Sequence, residues 1–504
     1  MIRNLARHSS HSITIKRWDH SAPFTRNMSS LNHQLLKHGL VNLPRASPAV
    51  KTTVEELLFK DAEEHHCYFR SSGVHNHLSH HLLAAYDLGA SEGVLRKIYE
   101  EEAKIQRPIF LDESDKGAVI TDENLAQYLG NQNAYGAFCQ FFRKRVSDLG
   151  AIPAVEKYIF SATANEGNKA MVQRLAAGAL HPFIQIGHGI EFGNPILVAT
   201  GLAQAAVHTI RFQPVFSGTA ESGLSMLEIL RQVYDSPILQ PVMPYDNNAL
   251  ISTRMKTALT EGRAEEIQRI CSQMKLDNLS DDDYNAKVKE IIWMSTLLMF
   301  ATGKPGKKPR LDFFLMHLVT SSIFLKSYVN SLQVASHKAD LIRTYVFTTI
   351  LLLLSRGRPI IKPDLVMTYT DKPRPPNSRT SSYYRADGTS LGNPLEDADY
   401  NPWPALITSA LHAPDCHVLK TMRTLVYAAR EFGDTLPGGV AGAFLRDDAH
   451  GESHPGSSQL DGSLFVRAAG MTLDYMSWVV HGQPAREDWD RSALGWDDAW
   501  LDEV

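Results

Sequence analysis

Apolar residues recur along this chain at intervals of three and four through most of its length, whereas alternating runs bounded by turn residues are scarce. This period predicts an all-α fold. One helix is expected from about Asn76 to Leu88, carrying Leu78, Leu82, Leu83 and Tyr86, with Gly89 as its C-terminal stop. Asn194 and Pro195 predict the cap and first turn of another, running to about His208. Further helices are expected at about 222–234, 248–261, 263–274, 281–300, 312–336, 338–355, 403–412 and 416–432. Between 370 and 401, and again over 447–462, Pro, Ser, Gly and Asp take over and predict long irregular loops.

The most apolar stretches, Phe313–Leu325 (interrupted by His317) and Tyr345–Leu354, fall short of the ~20 residues that span a bilayer, and read as buried core helices. With 504 residues, 43% of them hydrophobic, the chain can bury a large core. The expected organisation is one large helical catalytic domain over 31–504, behind an arm of 30 residues. That arm sets Arg3, Arg7, Lys16, Arg17 and Arg26 against Asp19 alone and resembles a mitochondrial transit peptide; a disordered arm, or a start at Met28, are the alternatives. Cys67, Cys139, Cys271 and Cys416 form no disulfide framework, which suits a reducing compartment: the cytoplasm or, if the arm is a leader, the mitochondrion. A net charge of −4 offers no field to attract nucleic acid. The tail from Arg486 holds Trp489, Trp496 and Trp500, which are expected to dock on the body.

Candidate chemistry lies with histidines in places unsuited to a solvated imidazole. His317 is flanked on both sides by large apolar residues, so its ring nitrogens need partners, a metal or a backbone carbonyl; an unmet buried polar group costs roughly 1–3 kcal/mol. His188 sits between Gly187 and Gly189, ahead of the helix start at Asn194; the glycines let the backbone pass close to something, or make a tight turn. His77 belongs to a cluster with His75, His80 and His81, in which His77 and His81 have the i, i+4 spacing of one helix face. Core histidines bonded to backbone are the alternative there. His417 and Lys420 share a face behind Asp415, a predicted N-cap. Lys420 either snorkels to water or is buried. A buried lysine loses its proton more easily, and the neutral amine can add carbon dioxide to form a carbamate, an anionic oxygen ligand. Four imidazoles and that carbamate would hold a divalent ion with one octahedral position open, as oxygen chemistry requires.

Other histidines are weaker candidates: His450 and His454 lie in a Gly-Ser-Pro loop, His8, His11 and His20 in the arm, and His208 at a helix end. Glu63-Glu64-His65-His66 supplies one E-x-x-H where a bundle-type di-iron site needs two. No G-x-G-x-x-G, Walker loop, H-E-x-x-H or G-x-S-x-G occurs, which argues against flavin or NADPH bound in a Rossmann domain.

Several segments together resemble the questin oxidase-like family, which includes fungal enzymes of anthraquinone and aflatoxin-type pathways described as Baeyer–Villiger oxidases. They are Asn76-His77 with Leu82 to Ser91, His188 to Gly193, Asp312 to Ser321, Gly357-Arg358-Pro359, and Asp415 to Lys420. The resemblance implies an all-α oxygenase that opens the central ring of an anthraquinone such as questin with O2. It further implies a mononuclear Fe(II) held by His77, His188, His317 and His417 and by a carboxylated Lys420. NADPH would then serve as a reductant of the quinone. An NADPH-dependent Baeyer–Villiger monooxygenase without iron and a non-catalytic helical binding protein are the competing readings.

Overall fold

The computed structural model describes residues 31, 33–210, 222–241, 243–376, 386–448 and 450–501; the basic arm with His8, His11 and His20 lies outside them. Among the described residues there is no strand, only isolated bridges such as Tyr68–His75, and the fold is all-α as the period predicts. None of their helices is long and apolar enough to cross a membrane.

Three helices that are apolar on every face run through the middle, because such helices have no side to give to water. They are Pro195–Val207 and the second halves of Asp281–Phe300 and of Ala335–Ser355, the last buried without a break from Thr344 to Ser355. Each fully buried Leu, Ile or Phe contributes about 1.5–3 kcal/mol relative to exposure. Local signals set their ends: Asn194 accepts from the backbone N–H groups of Ile196 and Leu197, and Ser280 with Asp283 forms a capping box. The amphipathic helix Met226–Asp235 covers this centre with one face, whereas Cys416–Phe432 is buried without a break from Cys416 to Leu425 and reaches solvent only near its end.

The predicted elements recur as Leu78–Asp87 ahead of Gly89, Pro195–Val207, Met226–Asp235, Ile251–Thr257, Arg263–Cys271, Asp281–Phe300, Trp403–Leu411 and Cys416–Phe432. Two differ. The stretch 312–336 is not one helix: Phe313–Ser322 breaks at Ile323, Phe324–Val329 follows, and Ala335–Ser355 starts afresh. A run apolar on all sides carries no periodic mark of a break. Of the two readings of the glycines around His188, the tight turn is absent, because His188 lies inside Ala177–Phe192. Its glycines mark close packing instead. A Cβ on Gly187 would lie 2.7 Å from Cβ of Phe324, and one on Gly189 would lie 2.6 Å from the backbone nitrogen of Val198. The described parts of 370–401 carry no helix, and among the described residues of 447–462 there is a single 3-10 turn at Ser457–Gln459. In the tail Trp489 and Trp500 are buried, and Trp496 is partly so.

Candidate metal centre

Four helices deliver the candidate residues to one place. His77 caps Leu78–Asp87, and Asn76 fixes this turn by accepting the Leu78 N–H at 2.9 Å. His317 lies in Phe313–Ser322, whose cap Asp312 accepts from Phe314 and Leu315 and is held by the buried Arg356 at 2.7 Å. His417 and Lys420 open Cys416–Phe432, where Asp415 is the N-cap, as expected, and accepts the His417 N–H at 2.8 Å. The fourth helix contributes a residue that the sequence did not single out, His181. It follows a left-handed turn through Gly178, Ala179 and Leu180, with φ of 56°, 54° and 69°. Such a conformation costs about 1–2 kcal/mol per non-glycine residue. Gly178 cannot carry a side chain, since its Cβ would come within 2.5 Å of His208 Nε2 and 2.7 Å of His75 Nε2.

The ligand nitrogens of His77, His317 and His417 lie within 4.8 Å of one another. The ring of His77 is 4.6 Å from that of His417 and 4.8 Å from that of His181, while His317 is 5.2 Å from His417 and 5.1 Å from His181. Hydrogen bonds fix the tautomers. Nδ1–H donates to the Phe313 carbonyl from His317 (2.8 Å), to Asp415 Oδ1 from His417 (2.7 Å) and to the Gly178 carbonyl from His181 (2.5 Å). Each of these imidazoles, when neutral, then points an Nε2 lone pair inward, the arrangement that orients histidines on metals. His317 Nε2, His417 Nε2 and Lys420 Nζ are buried without a hydrogen-bond partner. His77 Nε2 and His181 Nε2 face each other at 2.8 Å, a contact that needs either one proton or a shared cation.

His188 is differently placed. Its ring is buried against Phe324 at 4.4 Å and His80 at 5.3 Å, and neither of its nitrogens has a partner. It lies outside the His77–His317–His417 group. The i, i+4 partner of His77 is not beside it either, since His81 pairs with Glu102 at 2.5 Å. His80 bonds Gln185, and His75 stacks on His181 at 3.8 Å and meets His208 Nε2 at 2.8 Å. Both weaker loop candidates stay out: His454 binds the Leu227 carbonyl and His450 is exposed. No sequence signal singled out His181: apolar Phe183 and Ile184 follow it, but Pro182 beside it reads as a helix breaker.

Burial, more than any charge, lowers the proton affinity of His75, His77, His80, His181, His188, His317 and His417, and the neighbouring Lys420 adds to it. Neutral imidazoles with free lone pairs result. Burial likewise pushes the Lys420 ammonium below its ordinary value, against the opposing pull of Cys416, Asp415 and Glu102. Burial raises the Cys416 thiol well above its usual range, so it stays protonated beside His417 and is a poor ligand.

The histidines open onto a cavity of about 610 Å³ lined by His75, His77, His181, His317, Tyr68, Phe313, Phe314, Phe347 and Leu351, among others. Behind them, Arg423 links Asp87 of the His77 helix (2.9 Å) to Glu191 of the His181 helix, all three buried. The tail also reaches the site. Trp489 Nε1 donates to Asp415 Oδ2 at 2.8 Å, so it helps hold the carboxylate that orients His417.

Comparisons with known proteins bear on this arrangement. The chain is 30% identical over 281 residues to the questin oxidase of Aspergillus fumigatus, covering 53% of this chain and 62% of that protein. It is 28% identical over 302 residues to the Baeyer-Villiger monooxygenase dmxR6 of Cryptosporiopsis sp., covering 58% and 66%. It is 26% identical over 312 residues to the oxidoreductase AflY of Aspergillus parasiticus, covering 60% and 61%. The matched region thus spans slightly less than two thirds of each relative. The Questin oxidase-like profile matches residues 74–425, which hold His77, His181, His188, His317, His417 and Lys420, and the chain therefore belongs to the Questin oxidase-like family.

Proposed function

We propose that this protein is an oxidoreductase that uses dioxygen to open the central ring of an anthraquinone-type aromatic polyketide, at an iron held by histidines and a carboxylated Lys420. The observation that carries this is a group of buried, unpartnered donor atoms, of which His317, with His77, also lines an aromatic cavity. His317 Nε2, His417 Nε2 and Lys420 Nζ have no protein partner, and the ligand nitrogens of His77, His317 and His417 lie within 4.8 Å of one another. These residues fit a metal by their chemistry: neutral imidazoles suit iron, and the carbamate of Lys420 would add an anionic oxygen. The names questin oxidase and Baeyer-Villiger monooxygenase among its relatives favour an aromatic polyketide substrate.

The proposed ligands are His77, His317, His417 and Lys420 with a fourth imidazole. For that fourth place His181 has the stronger claim, because its Nδ1 is anchored on Gly178 and its Nε2 lies 2.8 Å from that of His77. His188, expected from the sequence, is the second reading, favoured by its two unpartnered nitrogens. The bound iron would supply dioxygen activation for the carbon–carbon cleavage. The protein's own part is to bind, orient and exclude water. Phe313, Phe314, Phe347 and Leu351 offer flat apolar walls to a fused-ring substrate. Asp415 keeps the His417 proton on Nδ1, so that Nε2 stays free. The Lys420 amine forms its N–C bond to carbon dioxide and releases one proton.

Opening the ring to a benzophenone acid takes up one O2, two reducing equivalents and two protons, so incubating the purified protein with a hydroxyanthraquinone, NADPH as reductant and oxygen tests this reading. A benzophenone acid, detected by mass spectrometry and lost on chelation, is expected. Turnover that requires NADPH and persists without metal would establish the Baeyer–Villiger monooxygenase reading instead, and absence of both metal and turnover would favour a binding protein.

A further inference from the structure

We propose that Arg491 forms an anion subsite at the edge of the cavity, selecting aromatic substrates that carry a carboxylate or an ionised phenol. The inference rests on the reading of this cavity as the substrate site. Among the described residues lining the cavity, Arg491 is the one Asp, Glu, Lys or Arg; the rest are apolar, aromatic, imidazole, amide or hydroxyl groups. An anionic ligand therefore meets one cation and no competing carboxylate in the wall.

Its placement relates it to the candidate centre. The guanidinium stands 4.2 Å from the centroid of Phe313, whose ring is 4.8 Å from His317 and 5.3 Å from His417. A single aromatic ring separates the cation from the imidazoles, so a ligand of two or three fused rings can reach from one to the other. Arg491 bonds Asp488 through Nη1 at 2.6 Å, but both side chains are substantially exposed, at 49% and 74%, and such a pair is weak. Nε and Nη2 meet no acceptor among the described residues. They remain available in the planar fork that binds a carboxylate through two parallel hydrogen bonds. The backbone that carries Arg491 is anchored beside Phe313: the Asp490 carbonyl accepts the Phe313 N–H at 2.8 Å, and the Asp490 N–H donates to the Leu311 carbonyl at 3.0 Å. Arg491 lies beyond residues 74–425, so this selectivity comes from a part of the chain that the family profile does not cover.

The test titrates the full-length protein with two matched pairs of ligands, following quinone absorbance. The pairs are anthraquinone-2-carboxylate with its carboxamide, and an acidic hydroxyanthraquinone, above its phenol pKa, with its methyl ether. Wild type is expected to prefer the anion in at least one pair by about tenfold, as a charge-assisted hydrogen bond supplies. The pair showing the preference tells carboxylate from phenolate recognition. R491Q should abolish the preference and R491K should keep part of it. No preference in either pair, or a preference that survives in R491Q, overturns the subsite and leaves the cavity reading standing. Failure of all four ligands to bind wild type overturns the cavity reading and the subsite together.

Discussion

Lys420 is buried among imidazoles that its positive charge would disfavour, and burial itself lowers its proton affinity. A neutral amine with no protein partner is the state from which a carbamate forms. Lys420→Ala is accordingly expected to lose iron by a factor of at least about ten, as loss of a ligand or its support does, measured by metal analysis of the purified variant. Iron occupancy equal to wild type would remove the carbamate. The fourth imidazole is decided in the same way: His181→Ala should lose iron to a similar degree and His188→Ala should retain it. The reverse result would restore the ligand set expected from the sequence. His317, His417 and Lys420 were legible because apolar flanks or helical spacing made a solvated side chain out of place, whereas His77 was singled out by a spacing to His81 that the structure does not use. His181 was not, because its inward direction comes from three successive left-handed residues that no sequence pattern announces.

At the level of helices, the centre depends on how closely Ala177–Phe192 can approach its neighbours. Gly189→Ala places a methyl 2.6 Å from the backbone nitrogen of Val198, which cannot swing aside. A loss of about 1–3 kcal/mol is expected in urea unfolding. The Arg423 link is a second support. Arg423→Met leaves Asp87 and Glu191 buried without their cation, and burial already lifts the Glu191 carboxyl to about 7 despite the guanidinium. Breaking such a pair costs about 3–5 kcal/mol, so a large fall in the urea midpoint is expected, and an unchanged midpoint would show that the link is not structural. Caps and periods fixed most of these helices in advance. Asp281–Phe300 and Cys416–Phe432 match their expected bounds because a cap and a clean polar break delimit them. Ala177–Phe192 was hidden by Pro182 and four glycines, counting Gly178 and its C-cap Gly193, whose purpose is close packing and a turn that only the tertiary structure reveals.

Taken whole, the molecule buries many imidazoles in the neutral state, which makes it sensitive to acid. His66 shows the sign. Burial lowers it from 6.5 to about 4, with Nδ1 accepting the Tyr68 N–H and Nε2 donating to the Gln132 carbonyl. Between those values the unfolded chain takes a proton that the folded one refuses, so stability is lost as pH falls from about 6.5 to about 4, by about 3 kcal/mol for this residue. His66→Gln should flatten the urea midpoint across that window; an unchanged slope would assign the acid sensitivity elsewhere. At this scale the fold class was foreseeable from the period, whereas the contribution of the tail to the site was not. Only docking was expected of Trp489, and its bond to Asp415 joins residues 74 positions apart. The central claim, iron-dependent oxygen chemistry on an anthraquinone, is tested most directly by dioxygen uptake with a hydroxyanthraquinone and NADPH as reductant, before chelation, after it, and after Fe(II) is restored. Uptake that disappears with the metal and returns with Fe(II) is predicted, and uptake that continues undiminished in the metal-free protein would contradict the account.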